Sequence, residues 1–261
     1  MKVSPIAAIP HKSKTFRSIL DLSFLLKLTP HARVSSVNKN SEKTAPRGAI
    51  DQIIHILLHL IHTFAEALDC ENIFQEKWDI KDGFLRLDYK EGEEWNFCYV
   101  LPKKPGMPID LVVPTLLQMW WIESPPYFCT VSETGRDVAE QYIETPVRSL
   151  EPHKFVKLTE VNPDFSELPK SDISNEPLNY MLEVYMDDYI VLATPSSQDQ
   201  LHHVANAITT GIHDVLPQYK DDKEDVIYRI RGLASSSSVP LTQQTPTTPP
   251  NSYSTIQCGT I

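Results

Sequence analysis

Apolar side chains change their spacing several times along the chain, and each change marks an element. Between residues 50 and 68, Ile50, Ile53, Ile54, Leu57, Leu58, Ile61, Phe64 and Leu68 recur at helical intervals and predict an amphipathic helix. The stretch TFRSILDLSFLLKL, residues 15–28, predicts a strand running into irregular chain, and VSSVNKNSEKTAPRGA, residues 34–49, predicts a loop. In residues 74–102 the turn signals Asp82-Gly83 and Glu91-Gly92 separate three strand-like runs. SPPYFCTVSETGRDVAEQYIE reads as a loop opening into a helix that starts at Ser124, with prolines tolerated in the first turn. SSQDQLHHVANAITTGIHDVLP predicts a second helix capped by Ser196 or Ser197. Residues 144–178 are punctuated by proline and predict a long excursion, and residues 233–261 form a low-complexity tail expected to be disordered. Helices and strands alternate without a regular βαβ rhythm, so the expected class is α+β with a mainly antiparallel sheet.

One stretch breaks the pattern. In EVYMDDYIVLA the apolar runs 181–186 and 189–193 flank two adjacent carboxylates, Asp187 and Asp188. The flanks predict a hairpin with the acidic pair at its tip. Neighbours in a strand face opposite sides, whereas a tight turn lets both carboxylates reach one region. An ordinary exposed acidic turn satisfies the same pattern. A third carboxylate on another strand would make the pair a site for a hard divalent cation, and Asp79, between Trp78 and Ile80 in WDIKDGFLRL, offers one. A plain Asp-Gly hairpin turn explains that second segment equally well. The acidic run YKDDKEDVIYR lacks apolar flanks and is assigned no role.

Composition narrows the class. The 261 residues are 41% hydrophobic and 22% charged, an ordinary globular balance, with 21 prolines against 8 glycines. The net charge of −10 is uneven: residues 1–48 hold nine Lys/Arg and two Asp/Glu, leaving the remainder strongly acidic. A basic arm on an acidic body permits local phosphate binding and argues against a surface that grips nucleic acid throughout. Cys70, Cys98, Cys129 and Cys258 show no CxxC spacing, which suggests reduced thiols in a cytoplasmic or nuclear protein. The first residues do not read as a secretory signal, and no apolar run approaches the roughly 20 residues that span a bilayer.

WDIKDGFLRL, then NFCYVLP, then LLQMWWIESPPYF, then YMDDYIVLA follow in the order of the blocks in the palm of a reverse transcriptase from retroviruses and LTR retrotransposons, which the chain resembles over roughly residues 5–216. IPHKSKTFRSILDLSF is similar to that family's fingers segment. The resemblance implies a right-hand polymerase fold: residues 1–48 as a partial fingers segment, 49–143 and 179–232 as the palm, 144–178 as an insertion, and no thumb. It implies RNA-directed DNA polymerase activity, a primed RNA or DNA template and deoxynucleoside triphosphates as partners, and two Mg²⁺ ions, with Mn²⁺ as a substitute. The remainder of a retroelement polyprotein is a further implied partner, and a membrane is not. Asp79, Asp187, Asp188 and the backbone carbonyl of Ile80 would hold the metals. Arg17, Lys12 and Lys14 would reach the triphosphate, Phe84 would exclude a ribose 2′-hydroxyl, and Gln118 would line the nucleotide side. Tyr185, Met186, Ser124 and Pro125 would follow the primer and template.

The chain also departs from that pattern. Met119, Trp120 and Trp121 follow Gln118 where the family usually places a glycine, so an indole could crowd the nucleotide. No Leu-Gly-Tyr/Trp primer-gripping segment and no RNase H-like acidic cluster follow residue 217. A truncated, inactive remnant serving as an interaction module is therefore the alternative reading. Trp120 and Trp121 could form a base-stacking platform or simply pack. His55, His59 and His62 share a helical flank but lack a metalloprotease glutamate, and packing explains them.

Overall fold

The computed structural model describes residues 2–10, 16–27, 33–46, 58, 74–102, 105–106, 108–154, 156, 168, 178–216 and 227–233. The helix expected over 50–68 (Leu58 aside), most of the 144–178 excursion, the tail beyond 233, and Lys12 and Lys14 lie outside these residues. The described chain mixes helices with mostly antiparallel sheets, so it is α+β as expected. It divides into two compact units, one of residues Met1–Ile50 and Ile80–Thr134, the other of Asp51–Asp79 and Gly135–Ile261.

In the first unit, β1 (Val3–Ser4) pairs in parallel with β7 (Cys98–Val100), which pairs antiparallel with β8 (Leu111–Val112). β2 (Ile6–Pro10) and β3 (Phe16–Leu20) form an antiparallel ladder, and β4 (Leu26–Lys27) and β5 (Arg33–Val34) a shorter one. Leu20, Leu22, Val37 and Phe97 make a small core. Its aromatic wall stacks Tyr89 on Phe97 at 4.3 Å and sets Trp121 edge-on to both. Such pairs add about 0.5–1.5 kcal/mol beyond area burial.

Two local expectations need correction here. The loop at 34–49 contains a one-turn helix, α1 (Val37–Asn40), because the Ser36 hydroxyl caps it by accepting from the Lys39 amide. The middle run of 74–102 is no strand: Gly83–Arg86 forms a 3₁₀ turn, and Asp88 makes only an isolated bridge to Leu116. Asp82 adopts φ 53°, which ends the preceding strand, and a side chain at Gly83 would meet the Phe128 ring at 2.5 Å. Asp tolerates that left-handed conformation better than most residues.

The second unit carries a sheet ordered β11–β6–β10–β9, with β6 Phe74–Ile80, β9 Asn179–Tyr185, β10 Asp188–Thr194 and β11 Ile227–Leu233. β10 is antiparallel to both β6 and β9. Period-two alternation sorts the faces. Phe74, Glu76 and Trp78 are buried with Tyr189, Val191, Ala193, Leu182 and Val184, while Lys77, Asp79 and Asp188 are partly open. The register Tyr189↔Trp78 and Val191↔Glu76 keeps those sets on their own sides. Ile80 closes β6 and is itself buried.

Two helices complete that unit. α2 (Ser124–Ile143) does begin at Ser124 and belongs to this unit from Gly135 onward. α3 (Gln198–Val215) is capped by Ser197, whose hydroxyl accepts from the Gln200 amide, while the Gln200 side chain accepts from the Ser196 amide. That reciprocity resembles a capping box, and Asp199 in the first turn suits the helix dipole. The far side of α3 is sealed by residues 151–153: Asn206 accepts from the His153 amide at 2.6 Å and donates to the Glu151 carbonyl at 2.9 Å. No helix among the described residues is long and apolar enough to cross a membrane.

α2 and α3 cross where side chains vanish. A Cβ on Gly211 would lie 2.7 Å from the Ala139 backbone nitrogen, and one on Gly135 would meet the Tyr189 hydroxyl at 2.5 Å. The crossing therefore fixes where Tyr189 sits, immediately next to Asp188. Gly211→Ala is expected to lower stability by about 1–3 kcal/mol through overpacking against a backbone that cannot yield, as read by the shift in a urea unfolding midpoint. A midpoint equal to wild type would show the helices can separate freely.

Candidate metal centre

The acidic pair lies at the hairpin tip, as expected. Tyr185 ends β9 and pairs with Asp188, so the connection is the two residues Met186 and Asp187. Met186 takes φ 53°, a value that hairpin turns of this length usually reserve for glycine. A non-glycine residue held there stores on the order of 1–3 kcal/mol of strain. The turn swings Asp187 out of strand alternation, so that neighbouring carboxylates share one side.

The sheet supplies the third group. Asp188 stands opposite Asp79 in the β10–β6 ladder, and one carboxylate oxygen each of Asp79, Asp187 and Asp188 lie within 4.8 Å of one another. All three are partly buried. Burial first, then the charges of Asp187 and Asp188, pushes the Asp79 carboxyl up to about 6, above the ordinary aspartate value of about 3.9. A hydrogen bond with Asp188 adds to the effect. Burial also raises Asp187, with repulsion from Asp188 in the same direction. Hence the cluster is short of positive charge.

The one cation recorded against these carboxylates among the described residues is Lys77. Its Nζ lies 2.8 Å from Asp188 Oδ1. That oxygen is buried and accepts no hydrogen bond among the described residues, so the contact is an ion pair without hydrogen-bond alignment. Lys77 also opposes the upward shifts of Asp79 and Asp187. Sequence reading passed over this lysine. Its spacing of two from Asp79 in a strand was the available signal, because such residues share a face.

The donor set suits a divalent cation. Hard carboxylate oxygens in a cluster this tight, one of them buried against the Lys77 ammonium, are of the kind that Mg²⁺ or Mn²⁺ coordinates. Among the described residues the triad is the group of side chains placed closely enough that it could hold a metal ion.

The other expected residues divide between the units. Tyr185 and Met186 belong to the same hairpin as the triad. Arg17, Gln118, Ser124 and Phe84 lie in the first unit. There Arg17 rests its guanidinium on the Met119 thioether, next to Gln118. Gln118 is pinned by its amide donating to the Tyr89 hydroxyl at 2.8 Å and its carbonyl accepting from the Ser124 hydroxyl at 2.6 Å. Pro125 follows in the first turn of α2. Phe84 is buried and stacked on Phe128 at 4.8 Å. Of the tryptophan pair, Trp121 packs between Tyr89, Phe97 and Tyr127, whereas Trp120 is exposed on a turn whose carbonyl accepts from Asn38. No protein-family model and no curated protein matches the chain.

The raised Asp79 carboxyl makes metal-free stability depend on pH. The folded state holds this proton more tightly than the unfolded chain, so the contribution is full below about pH 3.9 and is lost as pH rises through about 6. In EDTA the thermal midpoint should carry a falling component between pH 4.5 and 7, and Asp79→Asn should remove it. An unchanged slope in the variant would place the titration elsewhere.

Proposed function

We propose that the chain is a reverse-transcriptase polymerase domain, extending a primer with deoxynucleotides on an RNA or DNA template. One observation carries this reading. A two-residue turn within YMDDYIVLA and the neighbouring strand of WDIKDGFLRL bring Asp79, Asp187 and Asp188 to within 4.8 Å. The antiparallel strands that bear them support the reading, since a palm would carry its carboxylates on such a sheet.

On this reading the Asp79, Asp187 and Asp188 carboxylates, with the Ile80 carbonyl, hold two Mg²⁺ ions, for which Mn²⁺ can substitute. Bound there, the pair of ions supplies the Lewis acidity that activates the primer 3′-hydroxyl and stabilises the leaving pyrophosphate. The protein's own part is to keep three carboxylates oriented and close. The two-residue β9–β10 turn serves that end, and Tyr185 and Met186 border it where a primer terminus would lie. Arg17, with Lys12 and Lys14, offers fixed positive charge to a triphosphate. Phe84, buried and stacked on Phe128, is the ring to which the resemblance assigns exclusion of a 2′-hydroxyl. Gln118 and the Ser124–Pro125 turn, locked by the Ser124–Gln118 hydrogen bond, line the nucleotide and template side. The remainder of a retroelement polyprotein is a further partner on this reading.

Primer extension on poly(rA)–oligo(dT) with Mg²⁺ tests the proposal. Incorporation is expected for the wild type, and Asp187→Asn should reduce it by roughly a thousandfold, the upper range for deleting one charge-stabilising group. Incorporation that survives Asp187→Asn would sink the metal assignment. A folded wild-type protein that incorporates nothing would favour the inactive remnant.

A further inference from the structure

We propose that Lys77 acts as a built-in counter-cation for the triad, setting how much divalent metal the site must meet before it loads. The inference rests on the reading that Asp79, Asp187 and Asp188 form a metal site. Lys77 sits two residues before Asp79 on the same face of β6, and its ammonium lies 2.8 Å from Asp188 Oδ1. The oxygen it faces is buried and accepts no hydrogen bond among the described residues. A metal ligated by Asp188 would therefore meet an oxygen already neutralised by an ammonium.

The charges decide the consequence. Three carboxylates with one lysine carry a formal charge of −2, which one divalent ion balances. A second divalent ion would then enter a site of no net charge, with the ammonium still opposing it. A polyphosphate bearing about four negative charges removes that opposition, and the displaced ammonium is free to pair with it. Lys77 thus favours loading by metal together with nucleotide over loading by metal alone. Without the metal, the same ion pair limits the repulsion at the hairpin tip. Lys77 is a positioning residue: it acts through Asp188 and is assigned no contact with reacting atoms.

Direct Mn²⁺ binding, followed by electron paramagnetic resonance without nucleotide, separates charge from structure. Lys77→Met and Lys77→Gln should each tighten Mn²⁺ by on the order of tenfold, the effect of removing one partly screened unit charge a few ångströms away. Lys77→Arg, which keeps the charge, should bind as wild type does. The tightening should shrink as KCl is raised, since the effect is electrostatic. Circular dichroism confirms the fold of each variant, and the Gln and Met variants check one another should either be unstable. Equal affinity in all four proteins, or weaker binding in Lys77→Met and Lys77→Gln, would overturn the role while leaving the metal site intact. If neither the wild type nor any variant binds Mn²⁺, the metal site itself falls and Lys77's role falls with it.

Discussion

Electrostatic repulsion among three carboxylates is the constraint around which the second unit is organised. Asp79, Asp187 and Asp188 come within 4.8 Å of one another, with a single lysine opposed to them among the described residues. At such separations like charges cost about 1 kcal/mol per pair in water and several times more where water is partly excluded. Nothing local makes the approach favourable. The carboxylates are held there by what lies behind them: Tyr189, Trp78 and Val191, each fully or almost fully buried on the opposite face.

That arrangement explains the close helix crossing. Gly135 leaves room for the Tyr189 phenol, and Gly211 lets α3 approach the backbone of α2 at Ala139. Tyr189 is consequently fixed at its hydroxyl end as well as at its ring. Since Asp188 precedes it and points the other way, the helix packing is transmitted through one residue to the acidic cluster. The strained Met186 belongs to the same chain of cause: the ladder on both sides of the turn stabilises a conformation the residue would not adopt alone.

Much of this was legible from residue order, and the limits are physical. The hairpin, its tip, the two helices with the Ser197 cap of the second, and the α+β class all follow from apolar spacing and turn chemistry, which are local. The 3₁₀ turn at Gly83–Arg86 was hidden because FLRL alternates like a strand; what overrides it is the Phe128 ring, a partner 45 residues away. The one-turn helix at Val37 carries no apolar period and depends on a single hydroxyl cap. Asp79 could be offered as a third ligand from the chemistry of the pair, but its place opposite the tip came only through a resemblance, because strand pairing leaves no local mark. Lys77 was missed for the opposite reason: lysine in an exposed strand position is ordinary, and it becomes informative only once Asp188 is known to lie across from Asp79. For Trp121 the packing alternative was the one realised, whereas Trp120 stays in solvent.

Register is what finally ties the buried face to the acidic one. β-strand side chains have a period of two, so a slip of one residue between β6 and β10 would turn Tyr189, Val191 and Ala193 outward. Each of these is fully buried, and exposing a Val-sized side chain costs about 1.5–3 kcal/mol. A slip would also remove Asp79 from Asp188 and relieve repulsion, but that gain is smaller than the loss of a whole apolar face. The hydrophobic pattern of the strands thus compels the carboxylates to meet, and the fold carries an electrostatic debt at one end of its sheet. Lys77 offsets part of it.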